Sequence, residues 1–319
     1  MMGVFKRRRF WVVLACVLLF TPIALYLLLT PFGLWGGNFS SYVQTRRGVI
    51  KEVYEDRPPL RAETSETRYL KIQSTSGLVV RIAIRSPRNR DGDSMPLVVL
   101  LGGLTRGRSA VELVGHPTDL VFVAVDYPSY GDIRLDGADY PFQMRTLIRS
   151  LYDTVPALLL VLDYLDSNAQ LPQQTELVGV SLGAPIACAA AAQDQRFSRL
   201  WSVHGGADIE AMLNQAGHRV KPEWLRESLS KGLKHLLRHL EPANHVGRVS
   251  PRPFVMINGT RDALIPKPCI DKLYQSANFP KEIIWTETGH VQEKKEAVIR
   301  QLIEIVVTRI SQNQDQLSK

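Results

Sequence analysis

Apolar residues in this chain fall into two kinds of run. Short blocks such as Leu97-Val98-Val99-Leu100-Leu101, Leu120 to Val125 and Phe254 to Asn258 are apolar almost throughout, and Thr175 to Val178 and Leu200 to Val203 are further short candidate strands. Such blocks mark strands covered on both faces, as in a parallel sheet flanked by helices. Between them lie longer segments with apolar residues at helical spacing: Gln143 to Tyr152, Val155 to Asp166, Pro268 to Ser276 and about Gln292 to Ile310. Leu158, Leu159, Leu162 and Leu165 line one side of the second segment, and Pro156 falls in its first turn, where a missing N–H is tolerated. Tyr69 to Gln73 and Leu78 to Arg85, separated by Ser74-Thr75-Ser76-Gly77, open the series as a hairpin, and Glu282 to Thr286 is its last strand. This alternation predicts a doubly wound, mostly parallel α/β sheet flanked by helices over residues 68–312, followed by a polar tail, 313–319.

Residues 207–249 break the alternation. Leu225, Leu229, Leu233, Leu236, Leu237 and Leu240 form an amphipathic stripe there, which predicts a small helical cap insertion lying over the C-terminal edge of the sheet. Before residue 68 the pattern changes twice. Phe10 to Leu29 carries no charge and follows Lys6-Arg7-Arg8-Arg9. At about 1.5 Å per residue, a helix of this length spans a bilayer core of about 30 Å. The run ends without an A-x-A-like cleavage site, so residues 10–30 are expected to be an uncleaved transmembrane signal anchor. The basic residues put 1–9 in the cytoplasm and the folded domain on the periplasmic or other extracytoplasmic side. Residues 31–67, polar and containing Pro58-Pro59, are expected to tether the two.

Composition narrows the classes. Apolar residues make up 45% and charged residues 22%, the proportions of a globular domain with a real core. The formal charge of +8 is concentrated, half of it in Lys6 to Arg9. Arg219, Lys221, Arg226, Lys231, Lys234, Arg238 and Arg248 form a second group, but they alternate with leucines, as on a solvated helix face or one that meets anionic lipid. Nucleic acid is not an expected partner. Of the three cysteines, Cys16 lies in the apolar run, and Cys188 and Cys269 are too far apart to form a disulfide framework or metal-ligand spacing. No pair of histidines among His116, His218, His235, His239 and His245 has the company of a metal site, so neither metal nor cofactor is expected.

The chemistry concentrates at Gly179-Val180-Ser181-Leu182-Gly183. A candidate strand precedes it and the Ala-rich segment from Ala184 to Ala192 follows. A serine on a tight strand-to-helix turn is held in a strained backbone with its Oγ above the sheet, and positions 179 and 183 must then lack side chains. A serine hydroxyl needs a base, and the base an orienting carboxylate. Asp262 follows one later strand, in Asn258-Gly259-Thr260-Arg261-Asp262-Ala263-Leu264-Ile265-Pro266, and His290 follows the next, in Thr286-Glu287-Thr288-Gly289-His290. Asp208 is a second candidate carboxylate. His204, at the end of a buried strand, reads as a hydrogen-bonded core histidine. Glu287, three positions before His290, reads as solvated. Ser129 and Tyr130 are expected to shape a turn near the pocket, and Asp126 to cap it.

From about Tyr69 to Ile310 these motifs resemble the α/β-hydrolase fold serine hydrolases, with Asp126 to Gly131 similar to the D-x-P-G-Y-G turn of dienelactone-hydrolase-like and prolyl-oligopeptidase-like members. The resemblance implies Ser181 as nucleophile, His290 as general acid and base, Asp262 as its orienter, and an oxyanion hole from the N–H groups of Leu182 and Leu104. Where many members have His-Gly before the oxyanion residue, this chain has Gly102-Gly103. The expected activity is hydrolysis of a carboxylic ester, lipid-like if the leucine stripe of the insertion binds substrate. Acyl transfer on the same triad and an inactive membrane-tethered binding protein on the same scaffold are the alternatives.

Overall fold

The apolar blocks form the middle of a single mixed sheet in a computed structural model that describes residues 21, 29, 37–88, 95–114, 119–129, 140–291 and 296–317. Its strands are β1 (Ile50–Arg61), β2 (Ser65–Ser74), β3 (Val79–Pro87), β4 (Leu97–Leu101), β5 (Val121–Val125), β6 (Thr175–Val180), β7 (Arg199–Val203), β8 (Phe254–Gly259) and β9 (Lys281–Thr286), in the order β1-β2-β3-β5-β4-β6-β7-β8-β9. From β5 to β9 every pairing is parallel, while β1, β2 and β3 pair antiparallel and join through β3 to β5. The parallel strands β4 and β8 are buried along their whole length, as blocks apolar on both faces require.

Two apolar layers cover the sheet. On one face lie α1 (Phe39–Arg47), α2 (Tyr140–Ser167), α3 (Gly183–Gln193) and α6 (Lys267–Ser276). On the other lie α7 (Glu296–Leu317) and a short 3-10 helix, Gly107–Leu113. The two helices read between residues 143 and 166 are one, α2, which runs unbroken through Pro156. An interior proline costs about 3 kcal/mol. Val155 and the residues from Ala157 to Leu162 are all fully buried, and their packing on the sheet outweighs that cost.

The tether expected over 31–67 is not what the described residues form. Phe39 and Val43 of α1 are buried against the core, and Arg46 makes a forked ion pair with the buried carboxylate of Asp153 in α2, which also accepts from the Tyr42 hydroxyl at 2.5 Å. Arg47 pairs with Asp163, ten residues further along α2. Next, β1 adds an outer strand, with Pro58-Pro59 where its register to β2 shifts. The polar composition of this stretch reflects an edge strand with most residues exposed, not a loose linker. The expected span, 10–30, lies outside the described residues apart from Thr21 and Leu29, and among the described residues no helix is long and apolar enough to cross a membrane.

The insertion is helical as expected, with α4 (Ile209–Ala216) and α5 (Glu223–Leu237) followed by short 3-10 turns. Its leucine stripe does not face the C-terminal edge of the sheet. Leu236 and Leu240 are buried in the layer that holds α2 and α3, where the Tyr152 hydroxyl donates to the Leu236 carbonyl at 2.7 Å, and Leu229 is half exposed. The stripe is core packing at one end and solvent-facing at the other.

Candidate active site

Every residue of the candidate site sits at the C-terminal end of a parallel strand. Chain passes from β6 into α3 through Ser181, whose φ of +54° is rare for any residue but glycine. Its N–H donates to the Val203 carbonyl of β7 at 2.8 Å. The flanking glycines are needed for space. A Cβ on Gly179 would come within 2.6 Å of the Ala187 Cβ and the Gly183 carbonyl, and one on Gly183 would overlap the Leu101 carbonyl. Ala184 and Ala187 let α3 lie this close to the sheet.

The loops after β8 and β9 are stitched together, with Thr260 N–H donating to the Thr286 carbonyl and Arg261 N–H to the Thr288 carbonyl at 2.9 and 3.1 Å. They bring Asp262 and His290 to the serine. Ser181 Oγ lies 2.9 Å from His290 Nε2, and His290 Nδ1 lies 2.8 Å from Asp262 Oδ2. With Nδ1–H donating to the carboxylate, Nε2 is left to accept the serine proton. The Asp262 side chain is 1% exposed, and its Oδ1 accepts from the N–H groups of Leu264 and Ile265 at 2.9 and 3.0 Å.

One partner was not legible beforehand. His204, fully buried with φ +50°, places Nδ1 2.9 Å from the same Asp262 Oδ2 that His290 uses, its ring edge-on to the His290 ring at 5.4 Å. The reading of His204 as a hydrogen-bonded core histidine holds, but its acceptor is the candidate triad carboxylate. Its position at the end of β7, next to the elbow strand, was the available signal. Burial pushes the Asp262 carboxyl up; hydrogen bonds from His204, His290 and the Ile265 N–H, with the charge of His290, outweigh it and hold the group well below the usual carboxylate range. His204, Asp262 and His290 are also the described residues whose ligand atoms, all within 4.8 Å of one another, could hold a metal ion. Both Nδ1 positions are engaged with the carboxylate, so an ion there would displace both hydrogen bonds.

Leu182 and Leu104, the residues expected to form an oxyanion hole, both lie beside the elbow. Leu182 opens α3, and Leu104 follows Gly102-Gly103 at the end of β4, against which α3 begins. Among the described residues no backbone carbonyl accepts from either N–H. Two contacts hold the loop that carries the glycine pair. The buried Tyr127 hydroxyl donates to the Gly102 carbonyl at 2.7 Å, and Asp126 accepts from the Arg108 N–H at 2.7 Å and faces the Arg108 guanidinium at 3.2 Å. Asp126 thus holds Arg108 of the 3-10 helix, and the rest of the turn it was expected to cap, from residue 130, lies outside the described residues. Burial raises the Asp126 carboxyl despite Arg108.

The other candidates are elsewhere. Asp208 caps α4 and pairs with Lys272, so it does not orient His290. Glu287 is exposed. Ser129 lines a separate polar cleft with Arg145 and Arg149, while Tyr130 and His116 lie outside the described residues. His218 and His235 are exposed, while His245, in the insertion, is buried against Phe39 and His239. Burial and the neighbouring Arg238 hold the His239 imidazole down at about 4. Ser181 and His290 stand at the mouth of a cavity of about 930 Å³ between the sheet and α7, lined mainly by aliphatic side chains.

No family profile and no curated protein matches the chain. Solved structures do. An acetyl xylan esterase from a Paenibacillus species aligns over 83% of this chain and 92% of its own at 15% identity, with a TM-score of 0.56. A cold-adapted esterase from an Arctic intertidal metagenomic library aligns over 78% and 97% at 17% identity, TM-score 0.54. The esterase domain of a Rhodothermus marinus protein covers 76% and 98% at 14% identity, TM-score 0.51. The fold is the α/β-hydrolase fold.

Proposed function

We propose that this chain hydrolyses carboxylic esters through an acyl-enzyme on Ser181. One observation carries the reading: a strained serine at the end of β6 lies 2.9 Å from His290 Nε2, with His290 Nδ1 2.8 Å from a buried carboxylate, at the mouth of an apolar cavity. The esterases that share the fold add support from analogy. In this reading Ser181 Oγ attacks the ester carbonyl while His290 Nε2 takes its proton. Asp262 stabilises the imidazolium without itself being protonated, and the N–H groups of Leu182 and Leu104 bind the oxyanion. His290 then protonates the leaving alcohol, and a water activated by the same imidazole releases the acid. A fluorophosphonate should label the wild type at Ser181, and Ser181→Ala should lose label and at least 10⁴-fold in kcat on a model ester with unchanged melting. Turnover within a few fold of wild type would refute the assignment.

The same reading places the enzyme on a membrane. Its support is the uncharged run from Phe10 to Leu29 behind Lys6 to Arg9, which favours an anchor with the hydrolase domain on the extracytoplasmic side. Extraction of the full chain from membranes by carbonate at high pH would rule out the anchor, and protection of the domain from protease added outside spheroplasts would reverse its orientation.

A further inference from the structure

The cavity behind Ser181 extends far beyond what an acetyl group needs. Val98 and Leu100 of β4 and Val178 of β6 point into it from one face of the sheet, and Leu302 and Val306 of α7 close it from the other side. These five side chains are at most 8% exposed, so this end of the cavity lies inside the second apolar layer, while its other end opens to the surface between Gln215, His218, Arg261 and Leu264. Packed interiors seldom keep voids larger than a water, and an empty apolar cavity of this size lowers stability. A space of about 930 Å³ retained there, open at the reacting serine, is shaped for an apolar ligand. Its rim is polar, with Arg106, Arg261, Gln215 and His218.

Depth follows from the register. Gly102 lies at the mouth and Val98 at the floor, level with Phe122 of β5. Four residues of strand at about 3.3 Å each make the cavity about 13 Å deep. A staggered chain with C–C bonds of about 1.5 Å advances about 1.3 Å per carbon, so about ten carbons fit. We infer that the substrates are esters of medium-chain fatty acids of up to about ten carbons, whose acyl chain lies between the sheet and α7 with its carbonyl at Ser181. This rests on the ester hydrolysis proposed above, and it moves the acyl site from the leucine stripe of the insertion to the opposite face of the sheet.

The test takes the full chain through p-nitrophenyl esters from acetate to dodecanoate, at concentrations below micelle formation. Burial of each methylene should raise kcat/KM about threefold up to about decanoate, for a total of several thousandfold over acetate. Leu302→Trp and, should it not fold, Ala110→Phe fill the cavity part way down and should move the optimum to shorter chains by three or more carbons. A wild-type optimum at acetate, or an optimum unmoved in a folded cavity variant, overturns the inference. Calorimetry of decanoate with Ser181→Ala separates the two readings, because it needs no turnover. Decanoate binding with no ester cleavage by the wild type would sink the catalytic reading and keep the acyl site, whereas cleavage of short esters with no decanoate binding would do the reverse.

Discussion

Asp262 accepts from two imidazoles through a single oxygen, and removing the second of them, His204, is the most informative perturbation of the site. His204→Phe removes the donor but puts a larger ring in a left-handed backbone, so the pH dependence of its deficit is what reports the lost hydrogen bond. His204→Asn suits the left-handed backbone at φ +50° and offers an amide N–H near the former Nδ1. A hydrogen bond to a charged acceptor contributes about 1.5–3 kcal/mol, and Asp262, 1% exposed, has no water to replace it. The Phe variant should therefore be about 2–3 kcal/mol less stable than the Asn variant near pH 7. The carboxyl is held below its ordinary value in the fold, so its contribution is full above the unfolded value of about 3.9 and is lost as pH falls through the folded one. Without the His204 bond the depression is smaller, so the gap between the two variants should narrow below about pH 4. In activity, His290 keeps its bond to Asp262, and Leu264 and Ile265 still hold the carboxylate. kcat/KM should fall about tenfold for Phe and less than threefold for Asn, against about 10⁴-fold for Asp262→Asn. Urea unfolding at pH 7, 5, 4 and 3.5, with ester turnover at pH 7.5, reads all of this. A gap that is absent at pH 7, or that widens in acid, refutes the shared-carboxylate argument.

Gly183→Ala should cost several kcal/mol or prevent folding, because the new Cβ overlaps the Leu101 carbonyl, a backbone atom with no room to move; a melting temperature within 2 °C of wild type would contradict the packing of α3 on β4. Tyr127→Phe leaves the buried Gly102 carbonyl without its donor and should cost about 1–3 kcal/mol. It should also lower kcat more than it raises KM, since the loop it frees carries Leu104; unchanged kcat on a model ester would argue against an oxyanion role for that loop.

Legibility in the sequence tracked how local the determining interaction was. Leu97 to Leu101 was read to the residue because a run buried on both faces carries its own signature. Ser181, Asp262 and His290 were found because each follows a strand, and strand order alone carries them to one rim. His204 was placed correctly and its partner missed, because 58 residues separate it from Asp262 and only the pairing of β7 with β8 joins them. Local periodicity could not show that α2 continues through Pro156, which depends on burial along its whole length. Composition misled twice. The polar stretch before residue 68 docks through long-range ion pairs and edge pairing, and the leucines of the insertion serve the core on the face away from the serine.

The proline pair in β1 has a consequence for how copies of this protein meet. β1 is the sheet's outermost strand on that side, and an exposed edge is a template on which a second chain can extend the ladder. Pro58 and Pro59 supply no N–H for such pairing, and Lys51, Glu52, Glu55 and Arg57 crowd the strand with charge. Neighbouring molecules held at high density on a common surface would thus meet an edge that resists strand addition and the aggregation that follows from it.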